Sequence, residues 1–159
     1  MISFNAGKWQ VLEGMGEEML REMKPKADKL MWRAGTKFQA ALKRKLSGRG
    51  SGRTYKVSKT GALHVASAPD DPPAVLFGAL RNSMGFSRPT WAGWTVSMEV
   101  GSGLGVGGDG KENPAYARRL EYGGVSLHPH PIRIEARPYM APVSLEMEPV
   151  LQKLFEAGL

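Results

Sequence analysis

Two short stretches of the chain, and two isolated serines, hold residue types that could do chemistry. Gly105-Val-Gly-Gly-Asp-Gly110-Lys111 fits the first seven positions of a phosphate-binding loop, in which glycine N–H groups cradle phosphate and the lysine reaches its outer oxygens. The eighth position should be Ser or Thr, to hold magnesium. It is Glu112, which repels phosphate, and Asn113-Pro114 follows where a helix should begin at once. The overlapping Gly103-x-Gly105-x-x-Gly108 has dinucleotide-site spacing but no β-α-β unit around it. This stretch reads as a flexible loop between a strand and a helix. His128-Pro-His130-Pro has the look of a metal pair. Each proline forces an extended backbone before it, so the two imidazoles point opposite ways. His64 is the only other histidine, and nothing in the sequence places a carboxylate to complete a zinc set. Ser67 and Ser83 have no recognisable base partner. The expectation is a non-enzyme with no cofactor and no metal.

The strongest chemical signal is charge. Of a net +7, the segment from Lys24 to Lys59 alone carries +11: twelve cationic side chains against Asp28. The rest of the chain therefore nets −4. One reading is a solvated helical face and linker. The other is contact with nucleic-acid phosphates through Lys43, Arg44, Lys45, Arg49, Arg53, Lys56 and Lys59. Aromatics are sparse there (Trp32, Phe38, Tyr55), so base stacking is not implied and any DNA contact would be independent of sequence.

These residues need elements to hold them. A chain of 159 residues, 42% hydrophobic and 23% charged, is one domain's worth of ordinary globular composition. The absence of cysteine removes disulfides and thiolate chemistry, and fits a reducing compartment. No apolar run reaches membrane-spanning length, and the N-terminus lacks a signal-peptide layout, so no membrane is expected. Twenty glycines and eleven prolines point to many turns, hence to sheet as well as helix.

Val11, Leu12, Met15, Met19 and Met23 recur at helical steps from Trp9, and Pro25 is expected to break that helix and start a second over 25–46. Ala27, Leu30, Met31, Ala34, Phe38, Ala41 and Leu42 form the second helix's apolar stripe, and Lys43-Arg44-Lys45 suits its C-terminal dipole. Asp28 sits near its expected start, where acid is favoured. Residues 47–73 have no periodicity; Ser47–Gly52 is flexible-linker composition, Thr54 to Lys56 is compatible with an extended stretch, and Pro69–Pro73 is stiff. Thr95–Val100 alternates with Val96 and Met98 facing a core, and a hairpin of 80–88 with 93–101 is expected. A final helix from Pro142 to Ala157 should bury Val143, Met147, Val150, Leu151, Leu154 and Phe155, with a kink or break at Pro149. The fold class is α+β. A small antiparallel sheet packs against a long basic helix and a C-terminal helix, with a helical N-terminal arm. Its parts are a helical region 1–46, an extended loop 47–78, and the sheet with two helices over 79–159.

Between the sheet and the last helix lies Pro114 to Pro142. Pro114 suits the first position of a helix, and Gly123-Gly124 suits its end. Ile132 and Ile134 face one way along a strand, Arg133 and Glu135 the other; Pro138 and Pro142 stop the pairing. This rigid junction carries Tyr116, Glu121, Tyr122, Arg137, Tyr139 and Met140. Glu121 and Arg137 are expected to form an ion pair, and Tyr122, Tyr139 and Met140 are candidates for core.

Tyr-Ala-x-x-x-Glu121-Tyr-Gly123, followed by Ala136-Arg-Pro138-Tyr-Met140-x-Pro142 leading into a last helix, resembles the gene-product-ten-like family of tailed phages. A second block agrees. Ala66-Ser-Ala-Pro69-Asp-Asp-Pro-Pro-Ala74, then Leu80-Arg81-Asn-Ser83, is similar to that family's Ala-Ser-Ala-Pro-Gly-Glu-Pro-Pro-Ala and Gly-x-Leu-Arg-x-Ser. Asp70 stands where the family has Gly, and Gly124 where it has Thr. The matched blocks span roughly residues 60 to 157. The resemblance implies a structural virion protein of the neck, tail-completion or minor-tail kind. It implies a homo-oligomeric ring of six copies, or twelve nearer the portal, joining the head connector to the tail around double-stranded DNA. Its neighbours would be head-closure or connector proteins and a tail terminator or tail-tube protein. The ring would be assembled in the host cytoplasm. Leu80, Arg81, Tyr116, Glu121, Tyr122, Gly123, Arg137, Pro138, Tyr139 and Met140 are the assembly residues it implies. The reading from another class is a basic, non-specific nucleic-acid-binding module.

Overall fold

A single long helix organises the chain. In the computed structural model, residues 2–5, 15–74, 78–108, 114–126 and 131–158 are described. Helix α1 runs unbroken over Met15–Lys45, with Pro25 inside it. Pro25 therefore does not separate two helices. Its missing N–H would have bonded the carbonyl of Arg21, and both residues are exposed, so water can satisfy that carbonyl. Residues 9–14 of the expected first helix lie outside the described residues. The apolar stripe is where its period places it: Leu30, Met31, Ala34, Phe38, Ala41 and Leu42 are all buried. Asp28 is mid-helix, so it is no N-terminal acid. It accepts a hydrogen bond from Trp91 Nε1 at 2.8 Å, and Lys24 Nζ lies 5.6 Å from the Trp91 ring centre.

On this stripe lies a long bent β-hairpin. Strand β4 (Met84–Phe86) pairs with β7 (Val100–Ser102), and β5 (Thr90–Ala92) pairs with β6 (Thr95–Met98), both antiparallel. Phe86 faces Val100 but Thr90 faces Ser97, so residues 87–89 oppose only 98 and 99. That is a bulge, placed where Pro89 has no N–H for the ladder. The expected hairpin is thus two short pairs with a register step between them. It is preceded by a short helix, α2 (Ala79–Ser83). Strand β1 (Ile2–Asn5) adds to the free side of β6, with Ile2 opposite Met98 and Phe4 opposite Val96. The N-terminal arm therefore opens as a strand. Met84, Phe86, Val96 and Met98 are buried against α1. Gly35 makes this approach possible: a Cβ there would sit 2.7 Å from the Phe86 ring and 2.8 Å from Met98 Cε.

Residues 47–73 are not structureless. Strands β2 (Thr54–Lys56) and β3 (Leu63–Val65) form an antiparallel hairpin closed by a turn in which Gly61 N donates to Val57 O at 2.7 Å. Its base is tied by Gly52 N to Ala66 O and by Ala66 N to Arg53 O. Three-residue strands with both faces exposed leave no apolar period for a sequence reading to detect.

The remaining elements are α3 (Pro114–Tyr122), β8 (Gly124–Ser126) paired with β9 (Ile132–Ile134), and α4 (Met140–Glu156). Helix α4 is continuous through Pro149. The carbonyl this proline leaves unpaired belongs to Leu145, which is exposed. Val143, Met147 and Leu151 are buried and Leu154 and Phe155 partly so, whereas Val150 is exposed rather than core. Helices α1 and α4 pack together, and one apolar cluster joins α1, the bent β4–β7 hairpin, Ala117 and Leu120 of α3, Tyr139 and α4. The architecture is α+β.

Candidate assembly site

The junction is organised by one carboxylate. Helix α4 begins at Met140 after Tyr139, which supplies no side-chain cap. Glu121, buried in the last turn of α3, takes that role from outside the helix. Its Oε2 accepts the N–H of Tyr139 at 2.8 Å and of Met140 at 3.0 Å, and its Oε1 accepts Ala141 N–H at 2.9 Å. A negative group at a helix N-terminus also meets the positive end of the dipole. No ion pair joins Glu121 to Arg137 among the described residues; backbone donors hold the carboxylate instead.

Arg137 points instead to the proline-rich block. Its Nε donates to Ser67 O at 3.3 Å, and its backbone N–H to Leu120 O at 2.6 Å. One residue earlier, Ala136 O accepts Asp70 N–H at 3.0 Å. Ser67 is itself buried; its hydroxyl donates to Pro72 O at 2.6 Å and accepts the N–H of Ala74. Asp70 has φ 66°, a left-handed conformation that glycine takes most readily and aspartate tolerates. The stretches 66–74 and 114–142, some forty residues apart in sequence, thus form one hydrogen-bonded unit.

The other junction residues divide between support and surface. Tyr139 is buried, Met140 and Pro138 half-buried. Tyr122 is not core: it is 77% exposed, beside Arg118 and Arg119. Gly123, at φ 73°, ends α3 in a left-handed turn. Tyr116 lies on α3. Leu80 is buried on α2, and the Arg81 Nε reaches Asn82 Oδ1 at 3.4 Å. Neither Leu80 nor Arg81 makes a hydrogen bond to the junction among the described residues.

The basic segment is also divided. Lys43 Nζ donates to Gly107 O at 2.6 Å, and Gln39 Nε2 donates to Met84 O at 2.9 Å. Gln39 Nε2 also donates to Val106 O at 3.4 Å, so Lys43 and Gln39 fasten the described part of the glycine-rich loop to α1, and Val106 bridges to Phe86. Residues 109–113, and His128 and His130, lie outside the described residues. Arg44 is 4.0 Å from Glu146 with both side chains exposed, a pair of little energetic weight. Lys45 is half-buried; Arg49, Arg53, Lys56 and Lys59 are exposed.

The capping role of Glu121 is what sequence reasoning missed. A signal was present. Arg137-Pro-Tyr-Met140 offers no Ser, Thr, Asp or Asn where α4 begins, so its first N–H groups had to find an acceptor elsewhere.

The chain matches no known family model, no curated protein and no solved structure. No helix among the described residues is long and apolar enough to cross a membrane.

Proposed function

We propose that this chain is a structural virion protein of a tailed phage, forming a neck or tail-completion ring between head connector and tail. The observation that carries the reading is the docking of 66–74 onto 114–142 through Asp70–Ala136 and Arg137–Ser67. These are the two blocks that carry the resemblance to the gene-product-ten-like family, and they act as one unit. The left-handed Asp70 supports it further, since that family has glycine at the same place. The function is assembly: the junction fixes α4 and leaves Tyr122 and the flanking arginines at the surface for neighbours. Exposed cations such as Arg49 and Arg53 serve DNA passing through the ring. Light scattering on the purified chain tests this reading. A closed oligomer supports it, and a monomer at every concentration removes it.

The exposure of Arg44, Arg49, Arg53, Lys56 and Lys59 favours one second reading, a basic module that binds nucleic acid without assembling. Salt-dependent binding to random duplex by a monomer would select that reading.

A further inference from the structure

We propose that the β2–β3 hairpin of one copy docks on the α4 face of the next, making a head-to-tail interface. This rests on the ring reading and names the surfaces that would close it. Lys56 is opposite Leu63 and Thr54 opposite Val65, so Leu63, Val65 and Lys56 share one face of the hairpin. Leu63 is 77% exposed and Val65 37%. Among the described elements the hairpin packs substantially only on itself. An isolated two-stranded hairpin is marginal in water, and one with outward leucine and valine gains most from a covering surface.

A matching surface lies elsewhere on the same chain. Between α1, the bent β4–β7 hairpin and α4 is an open cleft of ≈ 440 Å³, lined by Phe38, Met98, Leu145 and Leu151 and by Glu148. Leu145 stands 73% exposed at this cleft. Glu146 and Glu148 are exposed on α4. The hairpin, residues 54–65, carries Lys56 and Lys59 and no acid. The two surfaces therefore complement each other in both apolar character and charge. Hairpin against hairpin would set lysines against lysines, and α4 against α4 would set glutamates against glutamates. The contact is thus heterologous, the kind that closes rings when its rotation permits. It gives Lys56 and Lys59 to the neighbouring subunit and leaves DNA to the cations before the hairpin.

The chain has no cysteine, which makes the test direct. Leu63→Cys and Leu145→Cys are prepared as separate full-length variants carrying tags of different mass, each checked for parental thermal unfolding. They are then mixed and oxidised. The expected result is a disulfide-linked dimer of unlike chains in the mixture, absent from either variant alone. Like-chain dimers of equal yield, or no cross-link, overturn the proposal. In parallel, Lys56→Glu and Glu148→Lys should each weaken self-association about tenfold or more, and the double variant should recover most of it. Additive losses also count against the contact. A chain that assembles normally without the mixed cross-link keeps the ring and loses this interface. A chain that is monomeric and uncross-linked loses both.

Discussion

The Glu121 carboxylate accepts the backbone N–H of Ala141 at 2.9 Å, across twenty positions of chain. With the bonds from Tyr139 and Met140, it fixes where α4 starts relative to α3. Glu121→Ala strips the acceptor from three N–H groups in a buried site. The expected loss is about 3 kcal/mol, since each stranded donor typically costs about 1–3 and water recovers part. Glu121→Gln keeps one acceptor oxygen and should lose about half as much. Denaturant unfolding of the three proteins checks the order; an unchanged midpoint for the alanine variant contradicts it.

Arg137 acts through a different partner. Arg137→Ala removes the donor to Ser67 O and should cost about 1–2 kcal/mol. Its distinctive mark is local. Hydrogen exchange at the Asp70 amide, which bonds Ala136 O, should accelerate more than exchange in α1. In a double-mutant cycle with Glu121→Ala the losses should add to within about 0.5 kcal/mol. A coupling well above that would restore the direct pair that the geometry denies.

Most helix glycines are improved by alanine, by about 1 kcal/mol. Gly35 should do the reverse. Its added methyl would sit 2.7 Å from the Phe86 ring, and overpacking of this kind costs about 1–3 kcal/mol. Gly35→Ala is expected to lower stability by about 1 kcal/mol net. A rise in the unfolding midpoint would show that the bent β4–β7 hairpin does not lie this tightly on α1.

How far the sequence can be read depends on the kind of signal each element carries. The stripe from Leu30 to Leu42 and the alternation at Val96 and Met98 are periodic, and both are legible because burial imposes the period. The α+β class follows from them. Pro25 misleads because a long helix can carry a proline where the freed carbonyl, here that of Arg21, lies on an exposed residue; at Pro149 the two-piece helix is likewise excluded, since α4 runs through it. Of the hairpin at 54–65, only the extended stretch Thr54–Lys56 is legible; its partner strand Leu63–Val65 carries no apolar period to mark it. At the junction the residues themselves stand out, Glu121 and Arg137 among them, but their partners do not. A carboxylate and a guanidinium in one segment invite pairing; in the fold, backbone groups hold both.

The cations outside the hairpin should carry duplex binding. Changing Lys45, Arg49 and Arg53 to Gln should weaken binding to random duplex and flatten its salt dependence. Each phosphate that is no longer neutralised lowers the slope of log K against log salt by about 0.9. Folding should be untouched, because Arg49 and Arg53 are exposed and Lys45 is half-buried at the end of α1. Equal slopes for parent and variant would make this charge a solubilising face only.

The measurement that bears most directly on the assembly reading is the mass and shape of the purified chain as its concentration is raised, by light scattering with electron microscopy of the same sample. The expected behaviour is a monomer of 17.3 kDa passing to one closed species of fixed copy number, seen as rings with an open centre. Six copies is the expected number. A chain that stays monomeric throughout, or grows into open filaments without a closed species, would contradict it.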